Sequence, residues 1–152
     1  MEKMTNFKVA EVQLSYRPKY KASERPTITR SLDAYEILKA SWSEDKLCFI
    51  EEFKVILLNR VNRVLGIYHV SSGGIAGTIA DPKLIFMAAL KGSASGIILS
   101  HNHPSGNLKP SQVDLQLTKK IVEGGKLLDI SVVDHLIITS EGYLSFADEG
   151  LL

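Results

Sequence analysis

The segment Ser100–Asp114, SHNHPSGNLKPSQVD, holds the side chains of this 152-residue chain best suited to chemistry. His101 and His103 stand two residues apart where the apolar run Gly96–Ser100 ends. In extended backbone, residues i and i+2 point to the same side. Both imidazoles can therefore converge on one ion just past the carboxyl end of a strand, where open α/β sheets commonly place their sites. Pro104, Gly106 and Pro110 turn the chain back, and Ser111 opens the next helix as its N-cap. Asp114, in the first turn of that helix, can reach over the loop as a third ligand. Two neutral imidazoles and a carboxylate are the donor set of a catalytic zinc site with its fourth position open to water. Iron and manganese accept the same donors. Zinc lowers the pKa of a bound water from about 15.7 to about 7. Hydrolysis then needs a carboxylate not spent on the metal to carry the proton. Ser-x-x-Asp alone is also an ordinary helix start. Its combination with a strand-end histidine pair and a rigid loop is what folding alone does not ask for.

The elements that must position these groups can be read from periodicity. Residues 1–16 alternate weakly through Phe7, Val9, Val12, Leu14 and Tyr16 and predict a strand at a sheet edge, followed by an extended connector over 17–30. Ser31 is the expected N-cap of a helix carrying Leu32, Tyr35 and Leu38 at helical spacing. Phe49–Leu58 predicts a long buried strand, Asn59–Asn62 a turn, and Val64–Val70 the returning strand of a hairpin. Ser71–Gly74 reads as a loop, either a plain turn or a groove lining. Asp81-Pro82 starts a helix that runs to about Lys91. Gly96–Ser100 is a strand buried on both faces. The helix after Ser111 should end at Glu123, before Gly124-Gly125. Ile130–Thr139 and Tyr143–Phe146 are the last two strands. This order predicts an α/β domain with a mixed β-sheet flanked by helices.

Composition removes whole classes. A domain this size buries roughly two-thirds of its unfolded surface and needs no cross-link to hold a core. The single Cys48 excludes an internal disulfide and any metal site built on two cysteines of the chain. No apolar run approaches the roughly 20 residues of a membrane span, and the N-terminus lacks a signal-peptide h-region. The cytoplasm is therefore the expected compartment, with no membrane partner. Net charge is +1. Residues 1–30 carry seven basic against three acidic groups, and residues 31–152 carry eleven against fourteen. The body thus lacks the basic field of a DNA-binding domain, and DNA is a weakly supported partner.

The spacing His101-x-His103, seven residues, Ser111, two residues, Asp114 is similar to the JAMM (JAB1/MPN/Mov34) metalloprotease motif. The longer stretch HNHPSG through PSxxD to VxDHLIIT and YxSF resembles the RadC family over roughly residues 30–150. The resemblance implies a JAB/MPN, cytidine-deaminase-like architecture and one Zn2+ per chain held by His101, His103 and Asp114. It implies Glu51 as general acid/base, with the adjacent Glu52 as runner-up on the opposite face of the strand. It also implies Ser111 as the oxyanion donor, a role worth about 3–4 kcal/mol. Full-length RadC proteins carry an N-terminal region resembling a helix-hairpin-helix module. Only about 30 residues precede the first helix here, so a short single-domain form is expected: residues 1–30 as strand and connector packed on the domain, and 31–152 as the RadC-like metallohydrolase domain. The implied function is zinc-dependent hydrolysis of a peptide or isopeptide bond in a peptide or protein substrate, in a family tied by name to DNA repair. The alternatives are a DNA-associated accessory or partner-binding protein with a structural or vestigial metal site.

The remaining polar residues get plainer readings. Asp134-His135 is a buried hydrogen-bonded pair or a support behind a ligand, with one of the two facing inward. His69 has no partner pattern, and Cys48 is a core packer. Ser105 lacks the strand–turn–helix setting of a nucleophile elbow. Trp42 and the tyrosines do not interleave with basic residues as a base-stacking platform does.

Overall fold

A computed structural model describes residues 8–73 and 80–152. The elements are α1 (Ser31–Ser41), α2 (Glu44–Leu47), β1 (Glu52–Leu58), β2 (Val64–Ser72), α3 (Pro82–Lys91), β3 (Gly96–Asn102), α4 (Gln112–Leu128), β4 (Ser131–Ile138) and β5 (Tyr143–Ser145). The strands form one mixed sheet in the order β2-β1-β3-β4-β5. Only β3 and β4 run parallel, joined by the α4 crossover, and the other neighbours are antiparallel. The α/β architecture is thus the expected one.

Both faces of the sheet are covered. One packs Ile56, Leu58, Ile98, Leu136 and Ile138 against Ala34 and Leu38 of α1. The other packs Phe53, Val55, Ile97 and Leu99 against Ile85 and Ala89 of α3 and Ile121 of α4. Each of the larger of these side chains, fully buried, contributes about 1.5–3 kcal/mol. Alternation along β3 sends Ile97, Leu99 and His101 to the α3/α4 side, and Ile98, Ser100 and Asn102 to the α1 side.

Several elements differ from the sequence reading. The described residues 8–16 form no strand; they are exposed, and the Tyr16 hydroxyl donates to the Leu65 carbonyl. Phe7 and Gly74 lie outside the described residues. Arg30, not Ser31, is the N-cap of α1. Asp33 accepts from Thr29 N and Arg30 N, so the helix starts one residue early. Ser31 Oγ instead donates to Asp148. Residues 49–51 lie before β1 rather than in it, with the short α2 in front of them. Cys48 is exposed, not a core packer. β2 continues through Ser71 and Ser72, and β3 continues through His101 and Asn102.

The helix α4 does not stop at Gly124-Gly125. A Cβ on Gly125 would stand 2.3 Å from the Ile130 carbonyl oxygen, and one on Gly124 would stand 3.0 Å from the Phe86 ring. These glycines permit close packing inside the helix, and the chain leaves it at Asp129, at φ 54°. Asp134 and His135 are both buried, because a sheet covered on two faces has no outward side for either.

Candidate metal centre

His101 is the last residue of β3 on the α4 side, and His103 follows immediately after the strand. Their Nε2 atoms are 3.0 Å apart. Asp114, on the first turn of α4, places Oδ1 3.3 Å from His101 Nε2 and Oδ2 3.5 Å from His103 Nε2. Donors about 2.0–2.1 Å from a tetrahedral zinc stand about 3.3 Å from one another. The three separations bracket that value, so the donor set fits such an ion. Glu51 approaches from the segment before β1. A carboxylate oxygen of Glu51 and nitrogens of His101 and His103 all lie within 4.8 Å of one another. The structure therefore brings together His101, His103, Asp114 and Glu51. Ser111 joins them through Asp114.

The capping geometry at the start of α4 is compatible with the carboxylate facing the histidines. Ser111 Oγ accepts from Asp114 N at 3.0 Å, and Asp114 Oδ2 accepts from Ser111 N at 2.8 Å. This reciprocal box fixes the carboxylate at the helix N-terminus, where the dipole favours negative charge. Burial opposes the charged form of Asp114, but the His101 and His103 imidazoles that flank it outweigh burial and hold the carboxyl far below its usual range. For His103, burial disfavours the cation, yet the bonds to Asp114 and to the Asn107 carbonyl raise its proton affinity. Burial raises the proton affinity of Glu51, and the nearby His101 and His103 partly offset this.

The loop aims His103. The His103 carbonyl accepts from Gly106 N at 3.0 Å, and Gly106 adopts φ 84°, which favours glycine. The turn brings the Asn107 carbonyl oxygen to 2.6 Å from His103 Nδ1. A carbonyl can only accept, so Nδ1 carries the proton and Nε2 faces the site.

Sequence reading overlooked Asn102 and Thr118 and misjudged His69. Asn102, between the two histidines, is fully buried on the opposite face. Its Oδ1 accepts from Glu52 N at 2.7 Å, and its Nδ2 donates to the Leu47 and Ile50 carbonyls at 2.9 and 2.8 Å. This amide clamps the segment that carries Glu51. Alternation alone could have flagged it, as the residue that must point away from both imidazoles. Thr118, four residues after Asp114 on one helix face, places its hydroxyl 2.7 Å from His135 Nδ1. His69 does have partners: its Nε2 lies 2.9 Å from Ser72 Oγ and its Nδ1 lies 3.4 Å from Glu52 Oε2. Glu52 is thus engaged across the β1–β2 hairpin, on the other face from the histidine pair. The adjacent glutamates are separated as strand alternation requires, and Glu51 is the one beside the imidazoles.

The same histidine–aspartate geometry sits in a sequence whose residues 28–151 match the RadC-like JAB domain. The chain belongs to that family. A UPF0758 protein of Flavobacterium johnsoniae is 50% identical over 124 residues, covering 82% of this chain and 53% of that protein. A UPF0758 protein of Porphyromonas gingivalis is 41% identical over 146 residues, covering 95% of this chain and 63% of that protein. One from Methanosarcina mazei is 38% identical over 125 residues, covering 82% of this chain and 53% of that protein. The chain thus spans roughly half to two-thirds of the length of these curated relatives. The mixed five-stranded sheet with its flanking helices is the α/β fold expected of a RadC-like JAB domain. Among the described residues, no helix is long and apolar enough to cross a membrane.

Proposed function

We propose that this RadC-like JAB domain is a zinc-dependent hydrolase that cleaves a peptide or isopeptide bond. The observation that carries the reading is the convergence of His101 Nε2, His103 Nε2 and the Asp114 carboxylate at 3.0–3.5 Å, with Glu51 at their side. His101, His103 and Asp114 would hold the ion. Bound there, zinc supplies a water acidic enough to yield hydroxide near neutral pH and polarises the scissile carbonyl.

The chain's own groups do the rest. Glu51, half-buried and with raised proton affinity, takes the proton from the attacking water and returns it to the leaving amine. Ser111 Oγ accepts from Asp114 N, which leaves its own proton free to donate to the carbonyl oxygen as negative charge develops there. His101 is buried, while His103 and Asp114 are partly exposed, so substrate reaches the site from their side. The single, exposed Cys48 suits a reducing compartment, and we place the domain in the cytoplasm.

The test pairs metal content with activity. Protein purified without chelator should hold about one zinc per chain by elemental mass spectrometry, and a His101→Ala, His103→Ala double variant should hold none. Glu51→Gln should keep the metal and lose peptide hydrolysis by about 10²–10⁴-fold. Undiminished hydrolysis by Glu51→Gln overturns the role of Glu51. Equal zinc in wild type and the double variant overturns the site.

A further inference from the structure

His135 lies fully buried in β4, with one ring nitrogen facing β3 and the other facing α4. Its Nε2 is 2.8 Å from His101 Nδ1, and its Nδ1 is 2.7 Å from the Thr118 hydroxyl. The placement of protons along this chain of groups follows from valence. Thr118 has one hydroxyl proton, and it is donated to the Asp114 backbone carbonyl at 2.7 Å. The hydroxyl oxygen must then accept from His135, whose proton sits on Nδ1. The neighbouring carboxylate of Asp134 does not charge the ring, since it accepts from His135 N, Ala147 N and Ser145 Oγ. A neutral imidazole protonated on Nδ1 is an acceptor at Nε2, so His135 Nε2 accepts from His101 Nδ1–H. His101 is left with its lone pair on Nε2, the atom beside His103 and Asp114.

We infer that Thr118 and His135 are positioning residues that fix the tautomer of His101 and so aim its Nε2 lone pair at the metal. The inference rests on the metal reading above. It links the three elements around the site: β3 supplies the ligand, β4 the intermediate imidazole, and α4 both Thr118 and Asp114. Turning any one donor around would reverse the others and put an N–H where a lone pair is needed.

Thr118→Val keeps the side-chain shape and removes the hydroxyl. His135 Nδ1–H would then face a methyl group in a buried site. That loss is relieved if His135 moves its proton to Nε2, which drives the His101 proton from Nδ1 to Nε2. Ring ¹⁵N–¹H correlation spectra of ¹⁵N-labelled, metal-stripped protein should find His101 protonated on Nδ1 in the wild type and on Nε2 in Thr118→Val. Thr118→Ser should restore the wild-type tautomer. Zinc affinity measured by chelator competition should fall about 10–100-fold in Thr118→Val and return in Thr118→Ser.

A wild-type His101 protonated on Nε2, or an unchanged tautomer or unchanged zinc affinity in Thr118→Val, overturns the inference. A wild type that takes up no zinc fails the metal reading and the inference with it. A wild type that takes up zinc beside an unaffected Thr118→Val fails the inference alone.

Discussion

Replacing Asn102 by alanine separates the residue that clamps the Glu51 segment from the residues proposed to bind metal. The amide makes three hydrogen bonds at 2.7–2.9 Å, to Glu52 N and to the Leu47 and Ile50 carbonyls. Truncation leaves Glu52 N and the Leu47 carbonyl without a partner in a buried setting. Each orphaned group costs about 1–3 kcal/mol, and water can reach the Ile50 carbonyl, so the expected loss is about 4 kcal/mol. With a urea m-value of about 2 kcal/mol/M, the unfolding midpoint should fall by about 2 M. Stability is read by urea denaturation, and zinc uptake and peptide hydrolysis are read under conditions where the variant is folded. Zinc uptake should persist, because the ligands come from β3 and α4. Hydrolysis should fall at least 10-fold, because the turn carrying Glu51 is no longer held. Asn102→Asp sharpens the test: its carboxylate would face two carbonyl oxygens, so its stability should recover as pH drops and the group protonates. A loss under about 1 kcal/mol with full hydrolysis would refute the clamp.

Three further outcomes follow from the same geometry. Asp134→Ala should cost about 3 kcal/mol by leaving His135 N and Ala147 N unpaired, whereas Asp134→Asn keeps an acceptor and should match or exceed the wild type at neutral pH. Burial raises the Asp134 pKa against hydrogen bonds that lower it, so its stabilising contribution is present in acid and lost as pH rises through the folded-state value. The advantage of Asp134→Asn in urea melts should therefore shrink on acidification. Zinc affinity should rise with pH through the imidazole range, because burial disfavours the His103 cation but its bond to Asp114 raises its proton affinity, and that proton must leave before the ion binds; calorimetry in buffers of different ionisation enthalpy should count the protons released. Gly125→Ala drives a Cβ to 2.3 Å from the Ile130 oxygen; a loss of about 3 kcal/mol or more in thermal melts is expected, and a loss below about 1 kcal/mol would show that the α4–β4 junction can relax.

Local chemistry made the centre of the site legible before any fold was known. A strand-end His-x-His, a turn rich in proline and glycine, and a capping Ser-x-x-Asp constrain one another within fifteen residues, so the grouping of His101, His103 and Asp114 and the capping by Ser111 could be read from spacing, while the catalytic part of Ser111 came only from the family resemblance. The sheet was legible too, because β1, β3 and β4 are apolar on both faces and mark themselves as central. The same local rules misplaced groups whose partners are distant in sequence. Gly124-Gly125 looked like a helix stop, since nothing nearby shows that Phe86 and Ile130 press against that surface. Ser31 looked like a cap, but the Asp33 carboxylate reaches back to the Thr29 and Arg30 amides and the helix already includes Ser31. Residues 8–16 alternate like a strand but pair with no strand among the described residues.

The sequence by itself determined which donor atoms this protein can offer a metal and the strand–loop–helix unit that carries them. The tertiary structure decided which glutamate joins them and which way the imidazoles face. Alternation alone puts Glu51 and Glu52 on opposite sides, but only the packed hairpin with β2, where Ser72 and His69 take Glu52, decides which of the two faces the imidazoles. The His101 tautomer depends on Thr118 and His135, 17 and 34 residues away. Hydrogen-bond direction is a property of a closed chain of partners, and that chain exists only once β3, β4 and α4 have packed.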